Sequence, residues 1–422
     1  MTTEAMQVRD ATPVYVAQVH MPKAPAGYKQ TEVGVIPVDW EVSRIDTHTT
    51  IKTGSRNTQD RVKGGAYPFF VRSQQIERID TFSFDGESVL TAGDGVGTGK
   101  VFHYIDGKFD VHQRVYKISD FSDQLDGRYF FYHFSTRFYD RIMSMTAKSS
   151  VDSVRMEMIA GMEILLPPEP EQRAIATALS DVDALLEALD RLIAKKRDII
   201  KATMQQLLTA QTRLPGFEGE WESVSLRQVV TQKATNGIVT AGTFVQDGVK
   251  MLRGGDISDG RISGDLPMVS RLKAAEYSRT TLIKDDVVIA LVGYPGASAK
   301  IPTRLIGANI SRAVGLLRLN GKICPNFLVH FLNSPYGRRM VLAPSAGSAQ
   351  QVVNLSALNK LRFSIPHVSE QDAIASVLSG MDAELDALEQ RRAKASRLKQ
   401  AMMQELLTGR TRLVETIFEG AS

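Results

Sequence analysis

The glycine-rich run GDGVGTGK at residues 93–100 is the segment whose composition best suits phosphate binding. A P-loop of the form GxxxxGK[ST] requires glycine where Asp94 stands and serine or threonine where Val101 stands. The dinucleotide-binding pattern GxGxxG fails too, because its third glycine position is Thr98. The run therefore predicts a turn joining two strands. Its glycines permit a close backbone approach to DNA, and Lys100 supplies positive charge.

Other catalytic patterns are missing from the sequence. The seven histidines form no HExxH pair, the single cysteine gives no zinc-ligand spacing, and no Gly-x-Ser-x-Gly elbow occurs. The Pro167-Pro168 pair lacks the polar residue before it and the aromatic residue after it that an amino-methyltransferase loop would use to hold a flipped base. These absences shift the interpretation from catalysis toward binding.

The positive charge of the chain is concentrated in one segment. Residues 214–366 carry 18 Lys and Arg against 10 Asp and Glu, whereas residues 1–166 carry 19 against 21. Such an excess suits a surface that neutralises phosphates, because each neutralised phosphate releases counterions. A solvated basic face is the alternative, and charge alone does not choose between the two.

Arg72 and Arg253 form a matched pair at an offset of 181, the same offset that relates Trp40 to Trp221. Each arginine is predicted on a strand edge beside polar residues, where arginine reads guanine and glutamine reads adenine. A structural ion pair is an equal alternative for both. The residues predicted to bind DNA are Arg72, Gln74, Gln75, Lys100, Lys250, Arg253, Arg271, Lys273, Arg279, Lys300, Arg304 and Arg312, and Arg338 and Arg339 add to the basic excess.

One segment occurs twice, at residues 171–214 and 370–413, with 23 identical positions out of 44 at a constant offset of 199. Apolar residues at alternating spacings of four and three predict long helices, each spanning about 60 Å. Pro170 is predicted just before the first helix, and Arg392 and Lys399 interrupt the stripe of the second. Sustained heptads favour helix packed on helix over burial of each stripe in its own globular domain. The predicted seam residues are Ile175, Leu179, Val182, Leu186, Leu189, Ile193, Ile374, Leu378, Met381, Leu385 and Leu388.

The order of segments predicts an architecture. The chain runs head, helix, head, helix, so a second helix packed antiparallel returns the chain toward the first head. The fold class is predicted as α+β, with two mixed α/β heads separated by two long helices in an antiparallel coiled coil and related by a pseudo-twofold repeat. The predicted boundaries are 1–27 for a poorly ordered extension, with an edge strand at 13–19 as its alternative, 28–166 for head one, 167–213 for helix one, 214–366 for head two, 367–414 for helix two and 415–422 for a tail.

Length and composition fit a globular chain. At 422 residues two or three domains are expected, and 43% hydrophobic with 23% charged residues is ordinary for such a protein. One cysteine excludes an intrachain disulfide, and neither a long apolar run nor a leader is seen. The sequence thus predicts a cytoplasmic protein without a membrane partner.

Taken together, these segments resemble the specificity subunit of type I restriction-modification systems. The similarity rests on two variable heads alternating with two repeated helices, on the first helix opening after Leu166-Pro167-Pro168 and Glu171-Gln172, and on Arg213-Leu214-Pro215-Gly216-Phe217 leading into Trp221-Glu222. The run YKQTEVGVIPVDWEV at 28–42 is similar to the usual opening of that family. The resemblance covers about residues 28–414.

The resemblance implies that the heads are target-recognition domains, each reading one half of a bipartite, asymmetric sequence in double-stranded DNA. The helices would set the spacer and dock two modification (methyltransferase) subunits, with restriction (translocase/nuclease) subunits as possible further partners. It implies no cofactor in this chain. S-adenosylmethionine, ATP and Mg would belong to the partner subunits, and the chain itself would be a non-catalytic, DNA-binding subunit.

Two other functions remain open at this point. The chain could be the recognition module of another methyltransferase or nuclease system, which an assay of the isolated protein with S-adenosylmethionine would test. It could also be a coiled-coil scaffold whose heads bind protein. Salt-dependent retention on duplex DNA would argue against the scaffold.

Overall fold

A computed structural model describes residues 24–145, 153–262, 264–345 and 351–414. The chain forms two compact units: unit 1 comprises Met1–Leu186 with Ala395–Ser422, and unit 2 comprises Glu187–Lys394. Residues 1–23, which contain the predicted edge strand and most of the predicted extension, lie outside the described residues, as does the tail at 415–422. Within the described ranges, no helix has the length and apolar character that crossing a membrane requires.

Unit 1 begins with short strands and continues into a larger sheet. Its strands are β1 (Tyr28–Thr31), β2 (Gly34–Pro37), β3 (Glu41–Arg44), β4 (Thr50–Thr53), β5 (Tyr67–Phe70), β6 (Glu77–Ile79), β7 (Phe84–Ala92), β8 (Phe102–Val111), β9 (Val115–Ser119) and β10 (Glu163–Leu166). Its helices before the long helix are α1 (Ile45–His48), α2 (Gly127–Ser144) and α3 (Met156–Ala160).

A six-stranded sheet in the order β4-β9-β7-β8-β5-β6 forms the centre of unit 1. Its pairs are antiparallel except β5 with β8, where Phe69 opposes Asp110 and Phe70 opposes Val111. Asp126 precedes helix α2 as its N-cap residue, and its side chain accepts a hydrogen bond from the Tyr129 amide at 2.7 Å. Phe134 on α2 stacks on Phe138 with ring centroids 4.4 Å apart. The core of unit 1 is therefore strongly aromatic.

The elements of unit 2 follow a similar order. Its strands are β11 (Glu222–Ser225), β12 (Thr235–Asn236), β13 (Val249–Leu252), β14 (Ile257–Ser258), β15 (Arg261–Ile262), β16 (Met268–Val269), β17 (Val287–Ala290), β18 (Ser298–Lys300), β19 (Asn309–Ile310), β20 (Val314–Leu317) and β21 (Arg362–Ile365). Its helices besides the long ones are α5 (Leu226–Val229), α6 (Arg271–Ala275), α7 (Pro325–Asn333), α8 (Pro335–Leu342) and α9 (Leu355–Lys360).

Two sheets build most of unit 2: β12-β20-β17-β18 and β16-β13-β19. Strand β13 pairs in parallel with β19, as β5 pairs with β8 in unit 1. Between β13 and β17, unit 2 contains β14, β15, β16 and α6, where unit 1 has β6 between β5 and β7. The additional elements lie near Asp259 to Thr280, between Arg253, which matches unit 1 at an offset of 181, and the second copy of the repeated segment, which matches at 199. The heads are mixed helix and strand, as predicted.

The two long helices are α4 (Glu169–Leu207) and α10 (Val368–Leu406). Helix α4 begins before Pro170, so the prediction that this proline precedes the helix was wrong. Proline fits the first helical turn because the amide that it lacks would have no intrahelical partner there. Helix α10 starts directly after His367, within the segment 367–414 that the sequence predicted for helix two.

Ion pairs join α4 to α10 within each unit. In unit 1, Lys399 Nζ lies 2.6 Å from Asp183. In unit 2, Arg392 Nε lies 2.8 Å from Asp190. These are the two residues that interrupt the apolar stripe in the sequence. The structure gives each an acidic partner on α4, so the interruptions are ion-paired positions.

The predicted seam residues divide into an outer group, which lies in the cores of the two units, and an inner group along the middle of the helices. Ile175 and Leu179 lie in the core of unit 1, and Ile374 and Leu378 lie in the core of unit 2. Each of these cores also contains the end of the other long helix: Leu406 and Leu407 in unit 1, and Leu207 and Leu208 in unit 2. The outer seam residues thus pack in the cores of the units as well as against a helix end. Leu189 and Ile193 are buried, while the half-buried members are Val182, Leu186, Met381, Leu385 and Leu388.

Candidate nucleic-acid interface

Three segments of unit 1 meet beside Arg72. The first is the loop at 72–75, the second is the turn at 93–97 after β7, and the third is the connection at 112–114 between β8 and β9. A Cβ added to Gly97 would lie 2.7 Å from the carbonyl oxygen of Arg72. The Gly93 amide donates a hydrogen bond to the Arg114 carbonyl oxygen at 2.8 Å. Only glycine allows the turn to approach the arginine loop this closely.

Asp94 joins the two arginines of this cluster. Its Oδ1 accepts from Arg72 Nη1 at 2.7 Å, and its Oδ2 accepts from Arg114 Nη1 at 3.0 Å. Both guanidinium groups stay about half exposed or more, with side-chain exposures of 44% and 63%. A single carboxylate therefore orients two arginines whose remaining donors face solvent.

His112 is buried close to the same arginines. Burial lowers its pKa, and the positive charge of Arg72 lowers it further. The ring is therefore neutral at neutral pH, with Nδ1 accepting a hydrogen bond from the Arg114 amide at 3.0 Å. This contact fixes the backbone at Arg114 without adding charge.

The structure places the other predicted unit 1 residues near or beside this cluster. Gln74 and Gln75 are exposed in the loop that begins with Arg72, and their side-chain amides have no partner among the residues that the structure describes. Lys100 is exposed just after the glycine turn, 5.6 Å from the ring centre of Tyr139. The run at 93–100 is a turn, as predicted.

A corresponding cluster occurs in unit 2 around Arg253. Its segments are the loop at 253–256 after β13, the turn at 292–296 after β17, and residues 311–313 before β20. A Cβ on Gly254 would lie 2.2 Å from the Val292 carbonyl oxygen and 3.1 Å from the Ala313 carbonyl oxygen. Arg312 is exposed in the third segment. The order of segments along the chain is the same as in unit 1.

Arg253 is paired within its own loop. Its Nε and Nη2 donate to Asp256 at 3.1 and 2.9 Å, and these hydrogen bonds raise the pKa of the arginine. Both matched arginines thus form ion pairs, which is the alternative that the sequence left open. The sequence placed Arg72 and Arg253 on strand edges, and the structure corrects this: β5 ends at Phe70 and β13 at Leu252, so both arginines follow the strands.

Two of the other predicted residues of unit 2, Lys300 and Arg304, make their contacts outside the Arg253 cluster. Lys300 opposes Val287 at the start of β17, whereas the 292–296 turn follows its end, and Lys300 pairs with Asp285 at 2.8 Å. Lys300 matches Lys100 of unit 1 at an offset of 200 in the sequence, but the match does not extend to the surroundings of the two residues. Arg304 donates to the Ile262 carbonyl oxygen at 2.7 Å, which ties down a loop.

A second group of basic residues lies on or near the additional elements of unit 2. Arg271 and Lys273 stand on α6 and contact Asp247 and Glu276 respectively. Lys250 and Arg279 are exposed and have no acidic partner among the described residues, as is also true of Arg312 in the Arg253 cluster. Within the described ranges, no group of three or more His, Cys, Asp or Glu has an arrangement that could hold a metal ion.

Sequence reasoning missed Arg114 and Asp94 as members of the unit 1 cluster. It also missed the turn residues Val96 and Tyr294, which are 101% and 65% exposed. A signal was present for the turns, because Gly93 and Gly293 match at an offset of 200. The contacts themselves join segments 20 to 60 residues apart, so spacing along the chain did not reveal them.

Comparison with known proteins identifies the class to which these features belong. Residues 37–195 and 218–397 each match the family described as type I restriction modification DNA specificity domain. The two matches cover most of the chain, which therefore belongs to the type I restriction-modification specificity subunits.

Individual relatives and solved structures agree with this class. The type I restriction enzyme MjaVIII specificity subunit of Methanocaldococcus jannaschii is 24% identical over 405 residues, which are 90% of this chain and 94% of that protein. The type I restriction enzyme EcoBI specificity subunit of Escherichia coli is 26% identical over 327 residues, covering 71% of this chain and 69% of that protein. The crystal structure of an S subunit from M. genitalium matches the fold with a TM-score of 0.61 at 17% identity, covering 87% of this chain and 96% of that one.

Proposed function

We propose that this chain supplies the DNA-sequence specificity of a type I restriction-modification complex, with each unit reading one half of a bipartite, asymmetric target. The observation that carries the proposal is the pair of arginine-bearing clusters around Arg72 and Arg253, each built from three corresponding segments. Family membership supports the same function, since the specificity domain matches twice along the chain.

The side chains of the two clusters suit recognition of DNA. Exposed guanidinium groups bind phosphates or read guanine, and the free amides of Gln74 and Gln75 suit adenine. The clusters differ in composition: Arg72 shares Asp94 with Arg114, while Arg253 has Asp256 to itself. Two readers that differ in this way would recognise different half-sites, so the full target would be asymmetric.

The long helices would set the distance between the half-sites as an antiparallel coiled coil. Support comes from contacts that recur at the offset of the sequence repeat. Arg412 donates to Glu171 in unit 1, and Arg213 donates to Glu370 in unit 2, each with two bonds of 2.6 and 2.7 Å. Equivalent pairs in both units are expected of a duplicated chain that imitates a symmetric dimer with a pseudo-twofold axis.

Partners would supply the chemistry. Two modification subunits, docked on the long helices, would methylate adenine with S-adenosylmethionine. Restriction subunits, where present, would use ATP and Mg for translocation and cleavage. The role of this chain's residues would be to bind DNA and to position those subunits.

Methylome mapping of cells with and without the chain tests the function. We expect a split recognition motif that depends on the chain, because each unit contacts its own half-site. Arg253→Ala should then weaken or relax one half of that motif only, by about 5- to 100-fold in discrimination at the affected base. Arg362→Ala is the control, because it removes an exposed arginine of β21 in the same unit.

Two results would contradict the proposal. A methylome without any chain-dependent motif would remove the specificity function itself. Simultaneous change of both half-sites in Arg253→Ala would show that the units do not read separately. Retention of the purified chain on duplex DNA should also fall steeply as salt increases, which a protein-binding scaffold would not show.

A further inference from the structure

In each arginine cluster, the turn after the central strand exposes a large apolar side chain to solvent at its tip. In unit 1 the residue is Val96, which is fully exposed, and in unit 2 it is Tyr294, which is 65% exposed. The Tyr294 ring has no aromatic partner and its hydroxyl no hydrogen-bond partner among the described residues. Exposed apolar groups of this kind do not contribute to the core of either unit.

The backbone fixes where these tips point. Val96 lies between Gly95, whose φ is +80°, and Gly97, where an added Cβ would lie 2.7 Å from the Arg72 carbonyl oxygen. Tyr294 follows Gly293, whose φ is +95°, and Gly293 packs against the backbone of Gly254 and Gly255. Positive φ angles and close backbone approaches require glycine at these positions. The turns are therefore held against the arginine loops.

Arginines lie beside both tips, and each of them has a carboxylate partner. Val96 lines the same cavity as Arg72 and Asp94. In unit 2, a Cβ on Gly296 would lie 3.6 Å from Cγ of Arg338, so a second arginine stem adjoins the Tyr294 turn. Such an arrangement suits a DNA-binding surface with two kinds of contact. The arginines would bind phosphates or guanine, and the apolar side chain would contact a base edge.

We propose that Val96 and Tyr294 are specificity-determining residues that make apolar contact with base edges, each in the half-site of its own unit. The apolar group that the major groove displays is the C5 methyl of thymine, which marks an A·T pair and its orientation. This proposal rests on the function proposed above. It adds two residues whose chemistry differs from that of the basic residues, and it predicts a thymine at the position that each tip contacts.

The test uses the complete complex and the mapped target duplex. Each thymine of the target is replaced in turn by uracil, which removes only the C5 methyl, and binding is measured for wild type, Val96→Ser, Tyr294→Ala and Tyr294→Phe. We expect one uracil in each half-site to weaken wild-type binding by about fivefold, within the range of a single lost base contact. In Val96→Ser, the uracil in half-site one should cause no further loss of binding affinity. In Tyr294→Ala, the same should hold for the uracil in half-site two. Tyr294→Phe should behave like wild type, because it retains the ring.

Ile283→Ala is the matched control. Ile283 is 45% exposed in the same unit and precedes β17, whereas Tyr294 follows its end. This variant should respond to every uracil as wild type does.

Three outcomes separate the hypotheses. If no uracil weakens wild-type binding, or if Tyr294→Ala still responds to uracil as wild type does, the apolar contact is refuted while sequence-specific binding stands. If Tyr294→Phe loses affinity as Tyr294→Ala does, the hydroxyl carries the contact, and the apolar proposal is likewise refuted. If wild type binds the mapped duplex no better than a scrambled duplex, the proposed function itself fails.

Discussion

At the scale of single residues, carboxylates within the clusters hold the arginines that we propose contact DNA. Asp94 occupies one Nη1 donor of Arg72 and one of Arg114, and Asp256 holds Arg253. A carboxylate beside a DNA-contacting arginine has two effects. It orients the guanidinium for bidentate contact, and it repels phosphates in the absence of the correct base.

Replacing Asp94 should separate affinity from specificity. In Asp94→Asn, both arginines lose their anionic partner, so we expect tighter binding to random duplex and a steeper salt dependence. The slope of log K against log salt should grow by about one to two units, because up to two further phosphates are neutralised. Discrimination between target and random duplex should fall. Fluorescence anisotropy over a salt series measures both quantities.

Asp106→Asn is the matched control for charge. Asp106 is exposed on β8 in the same unit, opposite Glu87, and no arginine pairs with it in the part of the chain that the structure describes. It makes the same change in net charge without releasing an arginine. Equal effects of the two substitutions would mean that overall charge, rather than the orientation of Arg72 and Arg114, governs binding.

At the scale of elements, the long helices combine apolar seam residues with cross-helix ion pairs. Lys399 pairs with Asp183, and Arg392 pairs with Asp190. Lys196 also contacts Glu384, and all of these pairs are partly exposed. Exposed ion pairs contribute little stability, but unlike charges at matched levels fix which residues face each other. We infer that these ion pairs contribute more to the register of the two helices than to their stability.

Lengthening both helices should move the half-sites apart. We propose inserting one heptad in α4 between Asp190 and Lys196 and one in α10 between Glu384 and Arg392, so that the contacts on either side keep their partners. Seven helical residues rise about 10 Å, and one base pair about 3.4 Å, so the gap should lengthen by up to about three base pairs. Methylome mapping of the variant measures the gap.

A variant that replaces a heptad at the same level by another of equal length is the control, and it should keep the native gap. An insertion variant that still methylates DNA with an unchanged gap would refute the idea that the helices set the distance.

The ends of the helices are held by buried carboxylates. Glu171 is fully buried near the start of α4, where it accepts from Trp40 Nε1 at 3.0 Å and from Arg412, whose pKa the Glu171 hydrogen bonds raise. Arg412 also donates to Asp39. Removing one partner of a buried pair leaves the other charge uncompensated.

Arg412→Ala should therefore destabilise unit 1 by about 3 kcal/mol. Hydrogen exchange of core amides around Trp40 and Glu171 measures this as roughly hundredfold faster local opening. Arg410→Ala is the control, since Arg410 is 69% exposed and reaches Glu405 only at 3.9 Å, so it should cost less than about 0.5 kcal/mol. Equal effects of the two changes would show that the Glu171 pair carries no stability.

At the scale of the whole molecule, the chain contains two compact units whose boundaries fall inside the long helices. Each unit has its own core and its own arginine cluster, with corresponding segments in the same order. A base-contacting variant in one unit should therefore leave the half-site of the other unchanged. The Arg253 and Tyr294 experiments test this independence as well as the individual residues.

Local repetition and periodicity were sufficient to predict much of this protein. The 199-residue offset and the heptad spacing predicted both long helices, and the motif at their start and end predicted the family, which the comparisons confirm. These features are encoded in short segments, so neighbouring residues reveal them. The matched positions of Arg72 and Arg253 were also visible, because the offset between the heads is nearly constant over that stretch.

The tertiary structure alone decided how separate segments meet. Asp94 between Arg72 and Arg114, and the acidic partners of Arg392 and Lys399, are contacts between residues 20 to more than 200 positions apart. Lys300 matched Lys100 in sequence, yet it lies at the other end of β17 from the Arg253 cluster. Sequence spacing determines which residues share a helix face or a turn, whereas pairing across a fold depends on how strands and helices pack, which only the folded chain shows.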